Sequence, residues 1–417
     1  MPQAPRQLRP ELSGRHLFGA RLRAWRERRG LSQRALGEIV LCSGHLIGKI
    51  EKGERRPQDD LVRRCDEALG AEGDLIAIHA ASRSSAPSGT GHGWRLASQL
   101  PELRRVIDSR DLPQACPVLS VSLLRQSIVE MVDYRVNARY ADLAARLIEV
   151  LPQLHQATQH APDSPKLRAL LVQAYRCADA IADKLGLHDL SARIIDLMCA
   201  AASKCGDELL AAATCYVRAE TFFANGDWTT GRQVLDRAAE GIDPTTGVRA
   251  LATYGALRMR AAVLAAREGR ADPATERIAE AVDAARHVPD DVYLGTAFGP
   301  ASVRIHQFTL ALDLHDIGGA LKTGGQWIPP LTIPCERRSH YFVDLARAYA
   351  AADLPDNAVD YLHVARLVAP EHIRHHPDVK VTVTRLLVNR LHPSRLLLDM
   401  ARWIGVGPSG SRSQQVG

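Results

Sequence analysis

Apolar residues recur at helical spacing along most of the chain, and this pattern predicts an all-α protein. Near the start, Phe18, Leu22 and Trp25 form an i, i+4, i+7 stripe, and Gly30 follows where such a helix would end. From Trp94 onward almost every segment has helical periodicity. The pattern therefore predicts a small helical head followed by a long helical body.

Two short helices joined by a tight turn are predicted within the head. Ser32 and Ser43 are good N-caps for helices over residues 33–39 and 44–51, and Gly53 stands where the second helix would end. The apolar positions expected to face inward are Leu36, Ile39, Ile47 and Ile50. The polar positions expected to face outward are Gln33, Arg34, His45, Lys49 and Lys52. This arrangement is typical of a helix-turn-helix.

The second helix of such a unit can enter the major groove of B-DNA with its N-terminal residues on base edges, while the first helix lies across the backbone. The expected DNA contacts follow from these positions. Phosphates would be contacted by Gln33 and Arg34, bases by Ser43, Gly44, His45 and Lys49, and the flanking backbone by Lys52, Arg55 and Arg56.

A plain helical hairpin without DNA readout is the alternative interpretation of this segment. Gly44 and Gly48 favour it, because they lie inside the presumed recognition helix and offer no side chain to a base. Each glycine also costs that helix about 0.5–1 kcal/mol relative to alanine.

Over residues 15–81 the sequence resembles the Xre or lambda-repressor-like helix-turn-helix regulators. Gly37 stands where that family usually has alanine. The matching residues are Leu31, Ser32, Gln33, Leu36, Ser43, Ile50, Glu51, Lys52, Gly53, Arg55 and Pro57. The resemblance implies a five-helix DNA-binding domain over residues 13–81 and double-stranded DNA as its partner.

Charge along the 417 residues agrees with a DNA-binding head. Residues 1–83 carry 16 Lys and Arg against 11 Asp and Glu, a net charge of +5, whereas the whole chain carries +6. A basic head on a nearly neutral body suits a polyanion-binding domain attached to an interaction domain.

The cysteines and the hydropathy pattern indicate a reduced, non-membrane environment. The eight cysteines include no CxxC pair, and the N-terminal segment has no apolar stretch of the signal-peptide kind. No run approaches 18 apolar residues. We therefore expect a cytoplasmic protein without a membrane span.

Composition also suggests the domain boundaries. Residues 1–12 have three prolines and no periodicity, which predicts a flexible arm, and residues 405–417 are expected to form a flexible tail. Residues 82–93 are mainly small, polar, Gly or Pro residues and are predicted to be a linker. The body would span residues 94–404.

Helical hairpins repeat along the body with the small and large residues of tetratricopeptide repeats. Their turns are expected near Tyr140, His188, Gly226, Gly269, Ile317 and Asp353. Because the turns are spaced more widely than the standard 34 residues, the repeats resemble tetratricopeptide units with longer helices or loops. Six such hairpins predict an α-solenoid, and an irregular helical bundle is the alternative.

The two-part architecture resembles a class of regulators of high-GC Gram-positive bacteria, with an Xre-like head and a tetratricopeptide-like body. The 46 Arg against 7 Lys agree with GC-rich codons. Three segments also match that class: FGP at 298–300, DLARAY at 344–349, and APE at 369–371 with His376 and Pro377. We expect them to interrupt the solenoid, with ligand contact as the second interpretation.

Few residues suggest catalysis or metal binding. His372 and His376 have an i, i+4 spacing beside His375 that could serve a metal on one helix, but Pro377 should end the helix at His376, so no metal site is predicted. The GGALKT of residues 318–323 lacks the spacing of a phosphate loop. With no nucleophile and base pair and no dinucleotide fingerprint, we expect neither an enzyme nor a cofactor.

The first helices of stacked repeats face one groove, which is the expected ligand surface of the body. The residues that the repeat frame places there are Arg176, Tyr216, Glu220, Phe223 and Arg347. The same residues would line a solvated groove, or one filled by the head or a partner subunit.

The leading hypothesis is a sequence-specific transcription regulator whose body forms a homodimer and senses a peptide, a small molecule or a protein. The alternative is an interaction scaffold whose degenerate head binds DNA without sequence preference.

Overall fold

The computed structural model describes residues 14–71, 73–76, 79, 91–112, 119–325, 327–389 and 393–406. The predicted arm, most of the predicted linker and nearly all of the predicted tail lie outside these residues. At the linker's far end the structure corrects the prediction, because residues 91–93 form the first turn of a helix that continues to Asp108.

Over the residues that the structure describes, the head contains four helices and a further helical segment at residues 74–76. The helices are α1 (Gly14–Arg28), α2 (Gln33–Ile39), α3 (Gly44–Glu51) and α4 (Asp59–Leu69). Their buried side chains form one cluster that includes Phe18, Leu22, Leu36, Ile47 and Ile50. The predicted helical head is therefore confirmed.

In the described residues, the body begins with a helix at residue 91 and is mainly helical. Its first helices are α5 (Gly91–Asp108), α6 (Val121–Val136), α7 (Tyr140–His160), α8 (Pro165–Lys184), α9 (His188–Ala202), α10 (Glu208–Asn225), α11 (Trp228–Glu240), α12 (Val248–Arg267) and α13 (Ala271–Ala285). A 3-10 turn, Pro244–Thr246, precedes α12. After the strands described below come α14 (Pro300–Asp313), α15 (Ile317–Gly324), α16 (Cys335–Ala351), α17 (Pro355–Val368), α18 (Pro370–His375), α19 (Pro377–Val388) and α20 (Arg395–Ile404).

All six predicted hairpins are present, as the pairs α6–α7, α8–α9, α10–α11, α12–α13, α14–α15 and α16–α17. Each turn uses the same backbone device, a residue with positive φ two positions before the second helix begins. These residues are Ala138, Gly186, Gly226, Gly269, His315 and Asp353. A left-handed residue lets a helix end sharply, so the shared conformation accounts for the regular antiparallel pairing. The α-solenoid prediction is confirmed.

A short β-hairpin interrupts the helices, which the helical periodicity did not predict. Asp291–Tyr293 pairs antiparallel with Thr296–Phe298 across a turn at Leu294 and Gly295. Strands of three residues are too short to show an alternating pattern. The FGP segment ends this hairpin: Phe298 is fully buried against Gly255, and Gly299 precedes α14 with a φ of 146°.

The solenoid closes on itself, because its first hairpins contact its last helices. Lys184 Nζ lies 3.5 Å from Glu336 Oε1, and Glu371 accepts a hydrogen bond from the backbone N–H of Ala141 at 2.9 Å. Ala369 packs into the same apolar cluster as the helices of the first two hairpins. The predicted groove is therefore a central cavity with walls on several sides. Among the described residues, no helix has both the length and the apolar character needed to cross a membrane.

Candidate functional site

The two predicted N-caps fix the helix-turn-helix. Ser32 Oγ accepts a hydrogen bond from the N–H of Ala35 at 3.0 Å, and Ser43 Oγ accepts one from the N–H of Leu46 at 3.2 Å. Each cap satisfies an N–H group that the first helical turn leaves without a partner. Ser43 therefore fixes the start of α3, as the sequence predicts.

A buried ion pair holds α1 against α3. Arg26 Nε lies 2.6 Å from Glu51 Oε1, and a further nitrogen of Arg26 donates to the carbonyl of Leu31 at 2.7 Å. Gln33 Nε2 donates to Glu51 Oε2 at 2.7 Å. Gln33 was predicted to contact phosphate, but the structure gives its amide an internal partner. Only the resemblance had drawn attention to Glu51.

The glycines of α2 and α3 lie where these two helices cross. A Cβ added to Gly44 would come within 2.8 Å of the Cα of Arg34, and one added to Gly37 would come within 2.7 Å of the carbonyl oxygen of Cys42. At Gly48 the added Cβ would lie 2.9 Å from Gln33 Oε1. These glycines therefore permit close packing of α3 on α2, which is a role that needs no side chain to reach a base.

The exposed face of α3 carries side chains that have no partners among the described residues. His45 and Lys49 are exposed, and neither makes a hydrogen bond or ion pair with the described residues. Lys52 and Arg55 are likewise exposed after the end of α3. On α2, Arg34 is exposed and pairs with Glu38 at 2.9 Å. Water-facing cations of this kind are available to an incoming polyanion.

The remaining predicted DNA contacts differ in their exposure. Ser43 and Arg56 are exposed, and Gly44 is partly covered by α2. One prediction about the inner faces is wrong. Ile39, expected in the core, is 53% exposed because it lies in the last turn of α2, and the neighbouring Leu41 is 79% exposed with a φ of 57°.

The body contains a cavity of ≈ 490 Å³ that is partly open to solvent. All five residues predicted to line a groove, Arg176, Tyr216, Glu220, Phe223 and Arg347, border this cavity. They come from three hairpins, so the repeat frame placed them on the correct side of their helices. Their assignment as ligand contacts stays a prediction.

Most of these side chains already have partners in the protein. Arg176 donates to the carbonyl of Gly295 at 2.9 Å and to Thr296 Oγ1 at 2.9 Å. Glu220 pairs with Arg260 at 2.5 Å, and Arg347 pairs with Asp344 at 2.6 Å. The cavity wall is therefore a network of ion pairs and hydrogen bonds that preorganises its charges.

The electrostatics around Tyr216 favour negative charge. Burial opposes ionisation of its hydroxyl, but the positive charges of Arg337 and Arg260 outweigh it and lower the pKa of Tyr216 to about 8. Arg337 Nη2 donates to the Tyr216 oxygen at 3.4 Å. Neither Arg176 nor Arg337 pairs with a carboxylate among the described residues. Burial, with the positive charge of Arg135 adding to it, lowers the pKa of Arg176 to about 10.

The sequence analysis missed several lining residues on α16. Arg337, His340, Asp344 and Arg347 all border the cavity. Their spacing of three and four residues forms a polar stripe along one face of the helix. This polar stripe is the sequence signal that could have located these lining residues, and only Arg347 had been predicted.

Comparison with known proteins identifies the head. Residues 17–77 match a family model described as a helix-turn-helix domain. The head is a helix-turn-helix domain. No curated protein matches the chain. Among solved structures, the chain is similar to Bacillus thuringiensis PlcR in complex with the peptide PapR7 and DNA, with 12% sequence identity, a TM-score of 0.33, and coverage of 81% of this chain and 97% of that chain.

In helix-turn-helix domains that bind DNA, the second helix of the motif enters the major groove with its N-terminal residues on base edges. In this chain α3 is that second helix. His45 and Lys49 lie one helical turn apart on its exposed face. Lysine and histidine can donate hydrogen bonds to the acceptor atoms of guanine or adenine. The exposed face of α3 thus carries two side chains that can donate hydrogen bonds.

Proposed function

We propose that this protein is a cytoplasmic, sequence-specific transcription regulator, in which α3 of the helix-turn-helix domain reads DNA. The observation that carries the proposal is the exposed pair His45 and Lys49 on α3, which has no partner within the described protein. A pair of donors held on a rigid, capped helix can distinguish base pairs at little entropic cost.

The surrounding residues would position the helix on the duplex. Arg34 on α2, and Lys52, Arg55 and Arg56 after α3, flank the reading face and would contact phosphates. Gln33 would act mainly through Glu51, because its amide nitrogen is already bonded there. Ser43 would retain its capping role and offer its hydroxyl to the backbone or to a base.

The positions of the two glycines in α3 do not favour a head that has lost base readout. Gly44 and Gly48 face α2 at the helix crossing, so they do not occupy the positions from which side chains would enter the groove. This supports readout by the neighbouring residues and weighs against the scaffold hypothesis.

Binding-site selection from random duplex DNA tests the proposal with the full chain. A regulator should enrich one motif and bind it at least about 10³-fold more tightly than unrelated duplex at physiological salt. A scaffold with a degenerate head should enrich no motif, and its binding should weaken steeply with salt on every duplex alike.

We further propose that the protein acts as a homodimer formed by the body. One small head contacts too few bases for tight and specific binding, whereas paired heads read half-sites about 34 Å apart. The enriched motif should therefore be two-fold symmetric. Sedimentation as a monomer, both free and on its site, would rule out this arrangement.

The central cavity is the proposed effector site, and its chemistry favours an anionic group. Arg176 and Arg337 carry positive charge near Tyr216 and have no carboxylate partner among the described residues. A carboxylate or phosphate on a peptide or small molecule would form ion pairs with these two guanidinium groups. An effector can shift operator affinity only through its different affinity for two states, typically 5–150-fold. Thermal-shift screening of acidic peptides and organic acids tests this proposal. A ligand of the cavity should raise the melting temperature of the wild type but not that of Arg337→Gln. Lys204→Gln is the control, because Lys204 is exposed and lies outside the cavity, and it should respond like the wild type.

A further inference from the structure

Three histidines from different elements meet at the edge of the central cavity. His340 lies on α16, His372 on α18, and His376 at the break before α19. Each offers one ring nitrogen, and the three atoms lie within 4.8 Å of one another. Nε2 of His376 and Nδ1 of His340 are 3.2 Å apart. The sequence analysis considered His372, His375 and His376 but predicted no metal site, and in the fold His340 rather than His375 lies beside His372 and His376.

The ring of His372 carries an unused acceptor. Ser339 Oγ donates to the carbonyl of Glu336 at 2.7 Å, so its lone pair faces Nδ1 of His372, 3.2 Å away. Nδ1 must therefore carry the proton, which leaves a lone pair on Nε2. His372 is fully buried, and Nε2 has no hydrogen-bond partner in the described part of the chain. An acceptor buried in this way costs about 1–3 kcal/mol unless something satisfies it.

The surroundings supply outer contacts for two of the three histidines. Ser339 orients His372, as described above. Glu336 Oε1 lies 3.9 Å from Nε2 of His340, so a His340 that binds an ion through Nδ1 would point its N–H toward a carboxylate. A ligand histidine that donates its other N–H to a carboxylate or another oxygen is the usual pattern at such sites.

We propose that His340, His372 and His376 bind one divalent first-row transition-metal ion, for which zinc is the test ion. Imidazole nitrogens suit zinc, copper and nickel. Ligands 2.0–2.1 Å from a tetrahedral zinc lie about 3.4 Å apart, so His340 and His376 are already at that spacing and the ring of His372 has to move closer. A fourth coordination position would open toward the cavity, because His340 and His376 line it.

Binding requires one rearrangement in the protein. Nδ1 of His376 now accepts a hydrogen bond from the N–H of Asp378 at 3.2 Å. A neutral His376 that uses Nε2 for the metal carries its proton on Nδ1, so it gives up this bond at the start of α19. The proposed site therefore couples metal binding to the junction between α18 and α19.

The test uses the full chain without an affinity tag, stripped with a chelator and titrated with zinc against a chromophoric competitor. We expect one zinc ion per chain and a melting temperature that rises with zinc concentration. Cobalt as a substitute should give the visible bands of a tetrahedral nitrogen site without a near-ultraviolet thiolate band. A thiolate band, or the absence of saturable binding, would overturn the proposal.

Matched variants assign the ligands. His372→Asn should weaken zinc binding at least 100-fold, and Ser339→Ala should weaken it about 10-fold through the loss of orientation. Because His372 is fully buried and its loss can impair folding, His340→Gln, at a partly exposed position, provides the second ligand test. His188→Gln is the control, since this exposed histidine borders the same cavity outside the cluster and should leave zinc affinity unchanged. Equal zinc affinity in His340→Gln and His188→Gln would contradict the assignment.

Discussion

Glu371 of α18 caps the start of α7, because its carboxylate accepts the backbone N–H of Ala141 at 2.9 Å although the two residues are 230 positions apart. Ala141 is fully buried, and Arg139, the N-cap of α7, makes no capping bond with its side chain. An acidic residue at a helix N-terminus also interacts favourably with the helix dipole. One carboxylate from the end of the body thus stabilises a helix near its beginning and helps to close the solenoid around its cavity.

Replacing Glu371 with alanine should lower the free energy of unfolding by about 1–3 kcal/mol, because the buried N–H of Ala141 loses its acceptor. Denaturant unfolding measures the change, and small-angle scattering should show whether the body expands. Glu149→Ala is the control, since Glu149 is exposed and its carboxylate pairs with Arg146 alone among the described residues. Its loss should cost less than about 1 kcal/mol. Equal effects of the two substitutions would argue against closure through Glu371.

Much of the body could be predicted because each hairpin carries local signals. Turn residues and helical periodicity are properties of neighbouring positions, and they located all six turns. The closure of the solenoid was not predictable, because the contact between Ala141 and Glu371 depends on the accumulated twist of every repeat between them. The β-hairpin at Asp291–Phe298 was missed for the opposite reason, since its strands are too short to form a pattern.

In the head, the sequence predicted the caps and the outward positions of α3 but did not indicate the packing role of its glycines. Gly44 and Gly48 were considered for their missing side chains, whereas their effect depends on how closely α2 approaches. The distance between two helices is a tertiary property that a single sequence does not contain. The same limitation explains the buried pair Arg26 and Glu51, whose members lie on different helices.

Gly44 and Gly48 should respond differently to alanine. At Gly44 the new Cβ would meet the backbone of Arg34 at 2.8 Å, which cannot move without shifting α2, so Gly44→Ala should cost about 1–3 kcal/mol. At Gly48 it would meet only the end of the Gln33 side chain, and the helix gains about 0.5–1 kcal/mol from alanine. Gly48→Ala should therefore be nearly neutral or stabilising. Thermal unfolding of both variants measures the contrast, and a greater loss at Gly48 would refute the packing role.

Asp179 should make stability depend on pH. Burial, with the negative charge of Asp183 adding to it, raises the pKa of Asp179 to about 8, and Ser191 Oγ donates to its carboxylate at 2.6 Å. Between pH 4 and 8 the folded state then holds a proton that the unfolded state releases, so stability falls as the pH rises through this window. Asparagine cannot titrate. Asp179→Asn should therefore gain stability relative to the wild type as the pH rises, by at most about 1.4 kcal/mol per pH unit.

Denaturant unfolding at pH 5, 6, 7 and 8 measures this difference. Asp243→Asn provides the control: hydrogen bonds from Thr245 lower the pKa of that exposed carboxyl, so its charge is constant across the window. The stability difference for Asp243→Asn should be the same at each pH. A pH-independent difference for Asp179→Asn would show that Asp179 stays ionised in the folded protein.

The most direct test of the central claim compares Lys49→Ala with Arg55→Ala on the selected site and on unrelated duplex, across a salt series. If Lys49 contacts a base, its loss costs about 1–3 kcal/mol on the selected site and relaxes the sequence preference. Loss of Arg55, a phosphate contact, should weaken binding to both duplexes alike and lower the salt slope by about one. Lys204→Ala, an exposed change in the body, should alter neither. If Lys49→Ala and Arg55→Ala instead weaken both duplexes equally and leave the sequence preference intact, Lys49 does not read a base, and the account of α3 as the reading helix is contradicted.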